Sequence, residues 1–397
     1  MASLRSTGGN NLGQLGLGDN VDRNVFTLVG SGWSDIACGA GHSLALKTNG
    51  DLYTTGWNNR GQLGLGDAIN RTSFTLVSGG WAEACGGNAN SLALKPNGDL
   101  YSCGFNFFGE LGLGDNVPRN AFTLVSGGWA SISCGFSHSL ALKANGDLYS
   151  CGYNVVGQLG LGDNINRNVF TFVSGGWASI GAGPAANHSF AIKPSGAMYA
   201  TGRNLNGQLG LGDNVDRNAL ALVGAGWDTA AGGASHSCAI SAAGTLYSTG
   251  YNFLGQLGLG DNVDRNVFTF ASPGFRSVSC GSLHSLAMNA GGGLYATGIN
   301  ARGTLGLGDN VNRNVFTDVG GQWSASAGGD AHSLALKLAQ GDQPVYLIAD
   351  KNNNHYATVT NDVSAVAGVS EDENGIIKVE APATATNLGD GVLLVEA

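Results

Sequence analysis

Gly13-Gln14-Leu15-Gly16-Leu17-Gly18-Asp19 is the stretch whose reading decides the fold. With small changes it begins again at Gly61, Gly109, Gly157, Gly207, Gly255 and Gly303. The spacings are 48, 48, 48, 50, 48 and 48 residues, so one unit recurs seven times. The long interval comes from an insertion around Pro184-Ala185-Ala186. A fixed period of this length marks a repeat architecture, in which each unit buries its apolar face against the next.

Each copy holds four short apolar runs. One reads Phe122-Thr123-Leu124-Val125, Ile132-Ser133-Cys134, His138-Ser139-Leu140-Ala141-Leu142 and Leu148-Tyr149-Ser150-Cys151, with turn signals such as Asn145-Gly146 between them. Runs of this length bounded by Gly and Asn-Gly read as antiparallel strands. Four strands in about 50 residues is propeller spacing. The seventh copy stops at His332-Ser333-Leu334-Ala335-Leu336-Lys337 and lacks the next strand, which stands at the other end as Leu4-Arg5-Ser6-Thr7-Gly8. The expectation is an all-β, seven-bladed β-propeller over residues 1–337, closed by the N-terminal strand, because closure removes an open sheet edge.

These motifs, Gly-Gln-Leu-Gly-Leu-Gly-Asp with Cys-Gly-x-x-His-Ser-Leu-Ala-Leu and Leu-Tyr-Ser-Cys-Gly, closely resemble the regulator of chromosome condensation repeat over residues 4–337. The resemblance implies the same propeller and the same kind of closure. It leaves function open, since propellers host many roles.

Composition narrows the function classes. Charged residues are 12% of the chain and glycine is 67 of 397. The net charge is −9, of which nine acids and two lysines after Lys337 account for −7. The body is nearly neutral and lacks the basic footprint of a nucleic-acid binder. No run of about 18 apolar residues suggests a membrane span, and residues 1–10 do not read as a secretion signal. Cys38, Cys134 and Cys280 share one repeat position and Cys103 and Cys151 another. Locked to the repeat, cysteines fill cores as small hydrophobes. All seven are read as reduced, which fits assembly in a cytoplasm.

Several constellations recur with the repeat and read as scaffold. His42, His138, His188, His236, His284 and His332 hold one position, with Asn90 in the second copy. Equivalent positions on separate blades lie around a ring and do not converge on one ion, so no metal is expected and the histidines read as hydrogen-bonded structure. Each copy also sets an aspartate four residues before an arginine, as in Asp19/Arg23 and Asp115/Arg119, which reads as a loop fastener. Trp33, Trp129 and their equivalents read as blade anchors. Family members that sense ultraviolet-B light depend on tryptophans, but their Gly-Trp-Arg-His-Thr signature is here Gly135-Phe136-Ser137-His138-Ser139. No one-off catalytic constellation stands out, so no enzyme and no cofactor is expected.

Function should sit where the copies differ. The variable positions surround the start of each signature, and many are apolar: Trp57, Phe105, Phe107, Phe108, Tyr153, Val155, Val156, Tyr251, Phe253 and Leu254. A ring of such residues on one face would form a protein-binding patch. Residues 338–397 leave the repeat. Val345–Ile348, Gly375–Val379 and Gly391–Val395 read as strands, with turns at Asn352–Asn354 and Glu371–Asn374. This small β-rich extension reads as an assembly anchor able to support a homo-oligomer. The preferred function is a structural or receptor-binding component of a bacteriophage virion, assembled in the host cytoplasm, with virion or host-surface proteins as partners. The alternatives are an intracellular interaction regulator, such as a guanine-nucleotide exchange factor for a small GTPase, and a propeller that inhibits another protein.

Overall fold

In a computed structural model the structure describes residues 2–338 and, beyond them, the strands Tyr346–Ala349, His355–Val359, Val369–Glu371, Ile377–Val379, Thr384–Gly389 and Val392–Glu396. The chain divides into two compact units, Ala2–Lys337 and Leu338–Ala397. The first holds 28 strands in seven four-stranded antiparallel sheets, and no helix occurs among the described residues.

Each sheet is one blade. Blade 1 runs Trp33–Cys38, His42–Lys47, Leu52–Gly56 and Arg71–Ser78. The first strand of every blade lines a central channel of about 310 Å³. The second strand, as in His42–Lys47, is buried on both faces along nearly its whole length, which its continuous apolar run requires. The fourth is partly exposed throughout, as in Arg119–Ser126, because only one side meets a neighbouring strand. The core lies between blades: Trp33, Ile36 and Cys38 of blade 1 pack on Leu4, Leu334 and Leu336 of blade 7. The Trp33 indole meets Tyr53 and Phe74 at 5.4 Å and carries the Lys47 ammonium 3.6 Å above it.

Two findings refine the sequence reading. The run Phe122–Val125 belongs to the outermost strand of blade 2, and blade 3 begins at Trp129. The sequence unit is thus cut one strand out of phase with the blade. As a result, the N-terminal segment gives blade 7 two strands: Ser3–Gly8 pairs with His332–Lys337 on one side and with Arg23–Ser31 on the other. The cysteines need a correction. Cys85 and Cys134 form a disulfide between blades 2 and 3, with Cα atoms 5.8 Å apart. Cys85 stands one residue out of the register of Cys134, and that offset brings the two sulfurs together across the seam. The other five cysteines are free and buried.

In the second unit, Tyr346–Ala349 is flanked by His355–Val359 and, in parallel, by Val392–Glu396, which also pairs with Thr384–Gly389. Val369–Glu371 and Ile377–Val379 form a separate hairpin. The expected strands near 345–348, 375–379 and 391–395 are present. Three more, at 355–359, 369–371 and 384–389, lacked a clear apolar signal. The expected turn at Asn352–Asn354, and Asp372–Asn374 of the other, lie outside the described residues.

Candidate functional site: the face of the signature loops

The signature loop connects the third and fourth strands of a blade and clasps the next blade. In the first copy, the Asn10 side chain accepts from Leu15 N at 2.9 Å and donates to Asp19 O and Oδ1 at 2.9 and 3.0 Å. Asp19 also accepts from Val21 N at 3.0 Å and pairs with Arg23 at 2.6 Å. The Asp115/Arg119 loop repeats this at 2.6 Å. These hydrogen bonds hold the aspartate carboxyls below their ordinary range, Val21 N and then Arg23 leading for Asp19. Gly18 N then donates to Thr72 O of blade 1 at 2.7 Å. Gly16 sits at φ +69°, and a Cβ there would run into the Phe74 ring, so only glycine allows the clasp to close.

The histidines fasten the same seams nearer the axis. His42 Nε2 meets Ser91 Oγ of the next blade at 2.8 Å, and His138 meets Ser189 at 2.7 Å. Each serine donates onward to a backbone carbonyl, as Ser91 does to Gln62 O at 2.8 Å. Its lone pairs are left to accept, so Nε2 carries the proton and Nδ1 is the bare nitrogen. Burial holds His42, His138, His188 and His284 near pKa 3 and His236 and His332 near 4, far under the ordinary 6.5. Asn90 makes no such bond, and its Nδ2 is buried without a partner.

The variable residues all lie in or beside the signature loops, on one face of the propeller. None is fully buried. The structure brings some together. Phe105 lies 6.2 Å from Phe107 and 6.3 Å from Phe108, and Phe108 reaches Tyr153 of blade 3 at 4.8 Å. The Arg60 guanidinium of blade 1 sits 5.4 Å over Phe105. Phe107, 66% exposed, stands at the summit. On blade 5, Tyr251 stacks on Phe253, 67% exposed, at 6.4 Å, forming a separate pair. Val155 is exposed, while Val156 and Leu254 are half-buried.

Trp57 lines a neighbouring pocket of about 290 Å³ with Leu12, Asn88, Arg302 and Asp330. Pocket, Arg60 and aromatic cluster run as one strip over blades 6, 7, 1, 2 and 3. A surface cavity of about 500 Å³ lies between the outer strands of blades 5 and 6 and holds none of the candidate residues.

Sequence reasoning missed three features. Glu110 replaces the repeat's glutamine directly beneath the aromatic cluster, where it accepts from Phe108 N at 2.8 Å, and burial pushes its pKa up to about 7. Asp35 and Glu83 face the central channel on adjacent blades. Burial raises both, Glu83 to about 7 with Asp35 adding repulsion. His236, Cys238 and Cys280 gather their ligand-type atoms within 4.8 Å. The signal for each was a departure from the repeat.

Two profiles, both described as Regulator of chromosome condensation (RCC1) repeat, match the chain. One covers residues 33–62, 129–158 and 275–304, and the other covers 6–46, 49–94, 97–142, 145–192 and 243–288. A search of curated protein sequences finds no match. Among solved structures, human WBSCR16 is similar with a TM-score of 0.77 and 22% identity, over 85% of this chain and 99% of that one. Prp20p from Saccharomyces cerevisiae, described with its binding properties to Gsp1p and histones, gives 0.77 and 20%, over 85% and 92%. Yeast RCC1 (Prp20) with Kap60 bound gives 0.76 and 20%, over 85% and 89%. At these identities the likeness shows the fold alone.

Proposed function

The chain belongs to the regulator of chromosome condensation repeat family, and from that premise we propose that it is a non-catalytic protein-interaction propeller of the regulator kind. Its docking face is the strip of signature loops on blades 6, 7, 1, 2 and 3. The observation that carries this reading is the cluster Phe105, Phe107, Phe108 and Tyr153, capped by Arg60. These are the aromatic and arginine residues from which protein hot spots are built, held on loops that seven clasps make rigid. Solved structures of Prp20p are described with Gsp1p, histones and Kap60, which supports a folded protein as the partner.

The test is the double change Phe107→Ser with Phe108→Ser. Crosslinked partners should be lost while the melting curve stays unchanged. Partners retained in full would move the docking face elsewhere, and loss of folding would make the two rings core. Release of fluorescent nucleotide from a small GTPase, stimulated by the wild type and not by the variant, would narrow the reading to an exchange factor.

The virion reading rests on a different observation, the separate strand-rich unit Leu338–Ala397, and the comparisons add nothing to it. Light scattering of the full chain beside one ending at Lys337 tests it. A defined oligomer that dissociates on truncation supports an anchoring role, and two monomers remove it.

A further inference from the structure

We propose that His236, Cys238 and Cys280 form a binding site for a thiophilic d10 metal ion, with Zn2+ as the expected occupant, in the seam between blades 5 and 6. His236 and Cys238 lie two residues apart on the strand His236–Ser241, so both side chains leave the same face of blade 5. Cys280 ends the first strand of blade 6 and stands opposite Ser285 in register. The imidazole nitrogen and the two sulfurs lie within 4.8 Å of one another, all fully buried. Ser285 Oγ is within reach of all three: 2.9 Å from His236 Nε2, 3.4 Å from Cys238 Sγ and 4.0 Å from Cys280 Sγ.

Zinc takes sulfur at about 2.3 Å and imidazole nitrogen at about 2.0–2.1 Å, in a tetrahedron. Closing the three ligands to those distances needs side-chain movements on the order of an ångström and leaves the strands in place. The Ser285 hydroxyl stands where a fourth ligand belongs.

Charge selects the ion. On binding, both thiols give up their protons, two zinc–sulfur bonds form and two protons leave. Two thiolates and a neutral imidazole around a divalent cation make an electrically neutral complex, which a dry seam tolerates and a lone charge does not. His236 faces the site with Nε2, 2.9 Å from Ser285 Oγ, so binding moves the ring proton from Nε2 to Nδ1, which has no partner, and frees the Nε2 lone pair for the ion. Cys280 also lines the central channel beside Ala231, which gives the ion and the released protons a route.

The cluster is no by-product of the repeat. The place of Cys238 is taken by Leu44, Leu92, Leu140, Leu286 and Leu334, and by Phe190, in the other blades. The place of Cys280 is also a thiol in blades 1 and 3, but nothing there assembles a triad. Cys38 reaches the Ala327 carbonyl at 3.4 Å and packs among apolar side chains, and Cys134 is bonded to Cys85.

The experiment uses the full chain, reduced under inert gas, loaded with Zn2+ and freed of excess by gel filtration. Bound zinc per chain is read by plasma emission. A parallel Co2+ titration reads the charge-transfer absorption of thiolate-bound cobalt. Cys238→Leu and Cys280→Gly install the residues that sister blades carry, as at Leu140 and Gly328, so both variants should fold and melt as single units. The expected result is one zinc per wild-type chain, none in either variant, and cobalt absorption in the wild type alone. A wild-type chain that retains no zinc overturns the proposal, as do folded variants that retain as much as the wild type.

Discussion

Six seams between blades carry the same polar fastener, and the seam between blades 2 and 3 does not. At the six, a buried histidine reaches a serine of the next blade at 2.7–2.9 Å. At the seventh, Asn90 stands in the histidine's place and makes no such bond, and the Cys85–Cys134 disulfide crosses instead. Glu83 adds a carboxylate contact to Ile132 N at 3.3 Å. The histidine bridges join second strands of neighbouring blades, whereas the disulfide joins the first strands Glu83–Gly86 and Trp129–Cys134, so hydrogen bond and covalent bond each tie one blade to the next. The two kinds respond to different agents, protons for one and reductant for the other.

The widest break should come inside blade 7, where the N-terminal strand meets His332–Lys337. Deleting residues 1–8 removes the third strand of blade 7 and strands Arg23–Ser31 without its neighbour. The melting temperature should fall by roughly ten degrees or more, or cooperative melting should vanish. An unaltered curve by circular dichroism would show that blade 7 holds without it.

Acid should separate the six seams from the one. The folded chain keeps its imidazoles neutral to pH 3–4, while the unfolded chain protonates them near 6.5. The unfolded state therefore binds more protons below 6.5, and stability falls as pH drops from there toward 4. The raised carboxyls Asp35, Glu83 and Glu110 act in the opposite sense, but they are three groups against six. The loop aspartates titrate lower still. The urea midpoint should drop by roughly half between pH 7 and pH 4. Hydrogen exchange at pH 4 should show protection lost at the histidine seams before the seam of Cys85 and Cys134. Uniform loss at all seven would break the distinction.

Cys134→Ser should cost about 2–4 kcal/mol, read from urea unfolding, because the disulfide closes a 49-residue separation. Adding Asn90→His should recover about 1 kcal/mol by rebuilding the bridge to Ser139. No recovery would mean that the second-strand position of blade 2 cannot seat an imidazole. The smallest effect belongs to Glu110→Gln, which restores the repeat residue. The folded chain disfavours the charged carboxylate below about pH 7, so its ionisation penalises the fold at higher pH. The variant should gain about 1 kcal/mol at pH 8 and almost nothing at pH 5. A gain equal at both values would point to packing and not charge.

The propeller was legible because its glycines and leucines are locked to a 48-residue step that only stacked, equivalent units explain. The phase of the blades was not, since a periodic string has no marked beginning, and the true edge at Trp129 depends on which strand faces the axis. The variable loops pointed to one face through Trp57, Phe107 and Tyr251, but not to which residues meet. Phe108 joins Tyr153 across its seam, whereas the pair Tyr251 and Phe253 joins no further ring, because Leu254 and Ile299 stand where Phe108 and Tyr153 stand in the other copy. The cysteines misled for a physical reason. Reading them by shared position singled out Cys38, Cys134 and Cys280, whereas a contact across a seam joins positions that are not equivalent. Cys85 and Cys238, the two that meet those cysteines, are outside the shared register.

The closing strand also sets how the propeller bears mechanical load. Ser3 pairs with Lys337 and with Ser31 at one end of an antiparallel ladder. A pull applied between residues 3 and 337 therefore opens the pairs one at a time, beginning at Ser3 and Lys337, and never loads the ladder all at once. The ring held by seven linked seams would yield to a tug between residues 3 and 337 as a zipper does, at the force of a single pair.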